Sequence, residues 1–367
     1  MGLFHRLRRA ASGEEEGPAA ATAGGGSVAG PQTFAGLRRL MAEGADTTLQ
    51  RAEIERVLVA NGVPGSVAAR SVASMVDGVA LLEHGAWPEL APAPGCRLGG
   101  EPLLPAGASW PLDRTGRPLT FVAVLDLADL PPVSAPADGL APADAPAPAA
   151  SRTAPAASGT ARPASGFAPT ASGTVRPASG FAPTASGPAL PASGVLLVFW
   201  DQAFADAPEI DFVDATRVFS VADPTGLESA GAPDGTQTFG PVALCPVRMP
   251  FPATDDGLGG DALPDGVPID ELRAALREEQ GHRLLGVSHD IQGPVLDEVA
   301  YWLREGTAGT RSRYTEAELA GEGWALLAQV DETSGLVLGD AGALYLVLPR
   351  ADLDAGRFDR VMGIMQC

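Results

Sequence analysis

The strongest structural signal in this chain is the segment that spans residues 323–367, which reads GWALLAQVDETSGLVLGDAGALYLVLPRADLDAGRFDRVMGIMQC. Over residues 324–331 every second side chain, at the even-numbered positions, is apolar, which is the two-residue period of a β-strand. The same period returns over residues 344–348, where the intervening residues are apolar as well. A strand that is apolar on both faces is covered on both faces, so we predict a central strand here.

The rest of this segment supplies the connections between strands. Gly339-Asp340-Ala341-Gly342 predicts a tight turn, because an aspartate between glycines readily bonds nearby backbone N–H groups. The alternative for Asp340 is a carboxylate that faces a ligand at a strand end. Pro349 ends the second strand, residues 351–355 predict a short helix, and residues 358–366 predict a closing strand. The segment predicts a specific fold and no specific reaction.

The charge of the chain is strongly acidic and unevenly spread. The formal net charge is −20, all 25 basic residues are arginine, and residues 201–270 hold 13 acidic residues against Arg217 and Arg248. A surface of this kind repels phosphate backbones and anionic membranes, because both need compensating cations. We therefore predict no nucleic-acid binding. The acidic region is either a solubilising surface or a site for a basic protein partner.

The cysteines and apolar runs indicate a cytoplasmic protein without a membrane span. Cys96, Cys245 and Cys367 lie far apart and form no CxxC pair, which predicts reduced thiols and no zinc site of the usual spacing. The longest strongly apolar run, residues 195–200, is too short to cross a bilayer. The basic start MGLFHRLRR lacks the apolar region of a signal peptide and is either a frayed tail or a weak membrane-surface contact.

The first part of the chain divides into a tail and a helical unit. Residues 1–33 are rich in glycine and alanine and predict a disordered tail. Residues 34–85 predict a small helical unit whose apolar stripe packs against the main domain. One helix has Asp46 or Thr47 as its N-cap and ends near Asn61-Gly62. A second helix follows Pro64, and five apolar residues recur in it at helical spacing: Val72, Met75, Val76, Val79 and Leu82.

Residues 134–193 form a low-complexity segment that contains a repeated 14-residue unit. The unit reads ARPASGFAPTASGT over 161–174 and VRPASGFAPTASGP over 175–188. Its few apolar groups cannot offset an ordering entropy of about 1–2 kcal/mol per residue, so we predict disorder. The segment is either a spacer or the carrier of a docking motif that includes Phe167 and Phe181.

Several further elements are predicted between these segments. The glycines and prolines of residues 96–118 predict a loop. Strands are predicted at 119–127, 194–201, 217–221 and 242–248, and helices at 268–280 and 294–304.

The polar motifs of the chain do not assemble into a known catalytic signature. The adjacent side chains of Ser288-His289-Asp290 cannot converge as a hydrolytic triad does. His282 with His289 and Asp290 lacks a rigid metal-binding spacing, and residues 254–261 lack the order of an EF-hand loop. We therefore predict no catalytic residue, no metal site and no cofactor, and we interpret residues 288–290 as a polar loop.

Five blocks, taken together and in order, resemble the YwqG-like family, a bacterial domain family of unknown function. They are GGEPLLPAGASWPLDRTGRPLTFVAVLDLADLP, GVLLVFWD, GHRLLGVSHDIQGP, GWALLAQVDE and GDAGALYLVLPRADLDAGRFDRVMGIMQC. The resemblance implies an α+β fold with a compact, mixed and mostly antiparallel sheet over residues 96–367, interrupted by 134–193 as a loop insertion. Val124, Val287 and Ser288 depart from the family pattern, which implies a different ligand if those positions bind one.

The resemblance implies no catalytic residues, so the function rests on the residues themselves. We interpret the chain as a cytosolic, non-enzymatic protein-interaction module, with a basic toxin as one partner that it could neutralise. The alternative is a hydrolase or small-ligand-binding domain, and a purely structural scaffold is a third reading. The ligand-binding candidates, all from the resembling blocks, are Asp126, His282, His289, Gln292, Trp324 and Asp340.

Overall fold

The computed structural model describes residues 34–113, 115–132, 190–202, 215–253, 263, 267–278, 281–306, 311–333, 335–339 and 341–367. Its α-helices are α1 (Ala35–Ala42), α2 (Thr47–Ala60), α3 (Gly65–Ala73), α4 (Ile269–Glu278), α5 (Val295–Glu305), α6 (Glu316–Leu319) and α7 (Arg350–Asp354). Its β-strands are β1 (Val76–Glu83), β2 (Cys96–Leu98), β3 (Leu103–Pro105), β4 (Thr120–Asp126), β5 (Val195–Trp200), β6 (Thr216–Val221), β7 (Leu227–Ser229), β8 (Val242–Phe251), β9 (His282–Leu284), β10 (Trp324–Asp331), β11 (Ala343–Pro349) and β12 (Met362–Gln366).

One ten-stranded sheet organises the fold. Its strand order is β12-β11-β10-β9-β1-β8-β2-β4-β5-β6, and β3 and β7 form a separate pair. The strand pairs between neighbours in the described residues are antiparallel. The predicted α+β class with a mostly antiparallel sheet is confirmed.

The sheet curls until its two edge strands come close together. Inner-face residues from both ends of the strand order, among them Leu346 of β11 and Val198 of β5, belong to one buried apolar cluster. Gly363 of β12 lies against β5, where a Cβ atom at this glycine would come within 2.5 Å of the Trp200 ring. The sheet therefore approaches a closed barrel, and its inner face is the main core of the protein.

Three groups of elements cover the outer face of the sheet. Helices α1–α4 cover β1 and β8, where Phe251 is fully buried. Helix α5 covers β10–β12 around the buried side chain of Tyr345. The loop before β4 covers β4 and β5, with Trp110 edge-on to Phe199 at a centroid distance of 5.5 Å. Each covered strand lies between the inner core and one of these outer groups, so it is apolar on both faces, as predicted for residues 344–348.

The segment after α3 corrects one prediction. The helix predicted to carry Val72, Met75, Val76, Val79 and Leu82 ends at Ala73, and Val76–Glu83 forms β1 instead. β1 lies between β8 and β9, and it pairs with β8 at eight consecutive positions. A short apolar run that is buried on both faces does not separate helix from strand by its period alone, and here the strand pairing decides.

The N-terminal helices are fastened to the sheet by Asp77 of β1. Its carboxylate accepts hydrogen bonds from Thr47 at 3.0 Å, from Arg51 at 2.6 Å and from Arg248 of β8 at 2.6 Å. Burial opposes ionisation, but the two guanidinium groups hold the pKa of Asp77 below its usual range. This cluster joins α2, β1 and β8 through one carboxylate.

Most other predicted elements are confirmed. The closing segment forms β10, β11, α7 and β12, and the predicted N-cap Asp46 accepts hydrogen bonds from the N–H groups of Thr48 and Leu49. Within the predicted loop of residues 96–118 the structure adds the short strands β2 and β3. β4 and β5, which flank the low-complexity segment, pair with each other from Thr120↔Trp200 to Asp126↔Val195. The predictions of disorder concern residues 1–33 and 134–189, which lie outside the described residues.

We predict that Gly78→Ala destabilises the protein by about 1–3 kcal/mol. A Cβ atom at Gly78 would lie 2.8 Å from the buried ring of Phe251 and 3.2 Å from the carbonyl oxygen of Leu284. The Arg283 guanidinium lies over the Phe251 ring, 4.8 Å from the ring centroid, so the ring has little room to shift. Denaturant unfolding measures the change. Gly85→Ala is the matched control, because nothing lies within 4 Å of its Cβ position; equal stability of the two variants would contradict the packing.

Candidate functional site

Two of the predicted ligand-binding residues have structural roles. Asp126 is the last residue of β4 and accepts a hydrogen bond from the backbone N–H of Ala128 at 2.9 Å, which caps the 3-10 turn Leu127–Asp129. Trp324 is buried in the core under α5, and its indole N–H donates to the carbonyl of Glu318 at 3.0 Å. A capping carboxylate and a satisfied core tryptophan explain why these residue types stand there.

His282 is a buried member of a polar cluster between β1, β9 and β10. The backbone N–H of Asp331 donates to His282 Nδ1 at 3.0 Å, and His282 Nε2 lies 3.2 Å from Oε1 of Glu83. Because Nδ1 accepts, the ring proton of the neutral imidazole is on Nε2 and is donated to Glu83. The hydroxyl of Thr333 donates to the same Glu83 oxygen. Both ring nitrogens of His282 are thus engaged, and Glu83, with a third of its side chain exposed, reaches solvent.

Gln329 of β10 connects this cluster to the loop that contains His289. It is fully buried; its Nε2 donates to Oδ1 of Asp331 at 2.7 Å, and its Oε1 accepts from the backbone N–H of His289 at 2.8 Å. His282 and His289 are therefore joined through Asp331 and Gln329. The sequence suggested both histidines as candidates, and the structure relates them through two residues that the sequence did not suggest.

Tyr345 and Gln366 hold the same loop against β11 and β12. The Tyr345 hydroxyl donates to the His289 carbonyl at 2.6 Å, and Gln366 Oε1 accepts from the N–H groups of Ile291 at 2.9 Å and Gln292 at 3.2 Å. Burial, with the nearby carboxylates of Asp290 and Asp331, raises the pKa of Tyr345, so its hydroxyl remains a donor. Residues 288–293, hereafter the 288–293 loop, are thus fixed by side chains from three neighbouring strands.

The chain enters this loop through two residues in the left-handed region. Leu285 has φ 61° and Gly286 has φ 75°, and the N–H of Leu285 donates to the Leu327 carbonyl at 2.9 Å. A left-handed leucine is unfavourable and persists only where its surroundings hold it. Here its side chain is buried in the inner core, which fixes the direction in which the loop departs from β9.

Gln292 lies beside the end of β12. Its Nε2 donates to the Cys367 carbonyl, and Cys367 packs against Gly339, where an added Cβ atom would come within 2.5 Å of Cys367 Sγ. The remaining candidate, Asp340, lies outside the described residues. His282, His289 and Gln292 therefore belong to one hydrogen-bonded region at β9–β12, whereas Asp126 and Trp324 have separate roles.

Six polar residues of this region were missed from the sequence: Glu83, Gln329, Asp331, Thr333, Tyr345 and Gln366. Two of them left a usable signal, because Gln329 and Gln366 interrupt apolar strands, and a polar side chain within a buried strand needs a hydrogen-bond partner. Glu83 and Thr333 left no comparable signal, because Glu83 is 199 residues from its partner His282 and 250 residues from its partner Thr333.

The described part of the chain contains neither a candidate metal-binding group nor a candidate membrane-spanning helix. Among those residues, His, Cys, Asp and Glu side chains form no group of three that could hold a metal ion. Each helix of the same described residues is too short or too polar to cross a bilayer.

Comparison with known protein families assigns the chain to one of them. It matches the family model of a domain of unknown function, DUF1963, over residues 96–141 and 180–367. The match spans more than half of the chain, and the chain therefore belongs to this family. The interval between the two matched ranges falls inside the segment predicted as an insertion, and α1–α3 and β1 precede the first range. No curated protein matches the chain.

We predict that Gln366→Leu loosens the 288–293 loop. The substitution removes the shared acceptor of the Ile291 and Gln292 amides, and a hydrogen bond contributes about 1 kcal/mol net, so amide exchange there should accelerate about fivefold. Hydrogen–deuterium exchange measures the rates. Gln202→Leu is the control, because Gln202 Nε2 donates instead to the Val337 carbonyl. Unchanged exchange at both amides in Gln366→Leu would show that other contacts fix the loop.

Proposed function

We propose that this chain is a non-enzymatic module that binds a cationic protein partner, and that within its family it is of the YwqG-like type. The observation that carries the proposal is how the polar side chains of the β9–β12 region are used. His282, Gln329, Gln366 and Tyr345 direct their polar atoms to hydrogen bonds that hold backbone and neighbouring strands in place. Polar residues used in this way build a rigid surface, which suits recognition.

The arrangement around Glu83 argues against the hydrolase alternative. A hydrolytic triad has its imidazole between the hydroxyl and the carboxylate, so that the imidazole takes the hydroxyl proton. Here the Glu83 carboxylate stands between the hydroxyl of Thr333 and the imidazole of His282, and both donate to the same oxygen. This order stabilises the carboxylate and leaves the hydroxyl proton on Thr333.

The charge of the chain indicates the sign of the partner. A net charge of −20 attracts cationic surfaces and accelerates their encounter, and the attraction weakens with salt. A basic toxin that the module neutralises is one partner with this chemistry. The buried thiols fit a reducing, cytosolic setting: Cys96 is free, and burial raises its pKa to about 12, which keeps it protonated and unreactive.

Co-purification at two salt concentrations tests the proposed function. The tagged full chain should retain one or a few basic proteins at about 0.05 M salt and lose most of them at about 0.5 M salt, since exposed charges are then screened. A chain that lacks residues 134–193 is the control and should retain the same proteins, because the proposal gives those residues no part in binding. Retention of no protein at either salt concentration would contradict the proposal.

A further inference from the structure

One surface beside the 288–293 loop combines exposed apolar groups with a fixed backbone. Ile291 is 41% exposed and Val337 is 54% exposed, although each belongs to a segment held by buried neighbours. They are connected through the end of β12: Ile291 bonds to Gln366, and the adjacent Cys367 packs against Gly339. We call this surface the tip and define it as Ile291, Gln292, Val337, Gly339 and Cys367.

The tip is held in place before any partner arrives. Its 291–292 side is fixed by Gln366, which accepts from both backbone N–H groups. Just before these residues, the Tyr345 hydroxyl donates to the His289 carbonyl and holds the backbone there. Its 337–339 side is fixed by Gln202, which donates to the Val337 carbonyl at 3.0 Å, and by Glu332, which accepts from the Leu338 N–H at 3.2 Å. A fixed surface loses little conformational entropy on binding, which favours affinity.

The sequence around the tip is acidic without basic residues. Residues 284–300 hold Asp290, Asp297 and Glu298 and no arginine, and residues 325–349 hold three acidic residues and again no arginine. The arginine that precedes the first range, Arg283, is buried and donates to the Val287 carbonyl at 3.2 Å. Asp297 and Glu332 are exposed. Exposed apolar side chains within an acidic rim are complementary to a segment that carries arginine or lysine around an apolar residue.

We infer that the tip is the docking surface for the cationic partner, which inserts an apolar side chain between Ile291 and Val337 while its basic residues face the acidic rim. This inference rests on the proposed function and assigns it a surface and a partner chemistry. Ile291 is the central contact, because it is apolar, exposed and held in place by the bond from its N–H to Gln366.

A labelled peptide of alternating arginine and leucine is the probe, and its twin with glutamate for arginine is the negative control. Fluorescence anisotropy measures binding to the full chain, to Ile291→Lys and to the matched variant Leu49→Lys. Leu49 is 54% exposed on α2, so it tests the same change of charge and apolar surface on a different element. Thermal unfolding of both variants confirms that each remains folded.

We expect Ile291→Lys to weaken binding of the arginine peptide about tenfold or more, as for the central residue of an interface, and Leu49→Lys to weaken it less than about twofold. The glutamate peptide should not bind. Equal weakening by both variants would show that net charge alone attracts the peptide and would overturn the docking surface. Absence of peptide binding to the unaltered chain would also overturn it. Both results leave the co-purification outcome unchanged, so failure of the surface is distinguishable from failure of the proposed function.

Discussion

The whole sheet depends on the pairing of β1 with its two neighbours. β1 pairs with β8 at eight positions and with β9 at three, so among the described strands it is the one whose pairing joins β9–β12 to β8, β2, β4, β5 and β6. Val79 and Leu81 fill the inner core, while Ala80 and Leu82 face the helices. A strand buried on both faces gains from both layers, and its removal would leave two half-sheets with exposed edges and an incomplete core.

The position of β1 also explains the arrangement around it. Asp77 fastens α2 to the sheet, Gly78 leaves room for the Phe251 ring, and Glu83 receives His282 from β9. Structural support and candidate site thus share one strand, with the polar region beginning where the apolar part of β1 ends. The family match begins at residue 96, so this strand is supplied by residues that precede the matched range. The surface inferred to bind a partner is held by side chains of β11 and β12, which β1 joins to the rest of the sheet, and by Gln202 after β5.

The sequence predicted those elements whose signal is local. Alternation over residues 324–331 and 344–348 predicted β10 and β11, and Asp46 predicted the start of α2, because a strand period and an N-cap are properties of neighbouring residues. β1 was misassigned because VDGVALLE fits either period and only its partners decide. The polar region was predicted in part, since His289 bonds to Gln329 across 40 residues and Ile291 to Gln366 across 75, and such pairs leave no spacing to detect.

The most direct test of this account is the folding of a chain that starts after β1. A chain that lacks residues 1–85 retains every residue of the family match but has no strand between β8 and β9. Thermal unfolding, followed by circular dichroism, should show no cooperative transition for this chain and a clear one for the full chain. A cooperative transition at the same midpoint in both chains would show that β8 and β9 do not need β1, and would contradict the account.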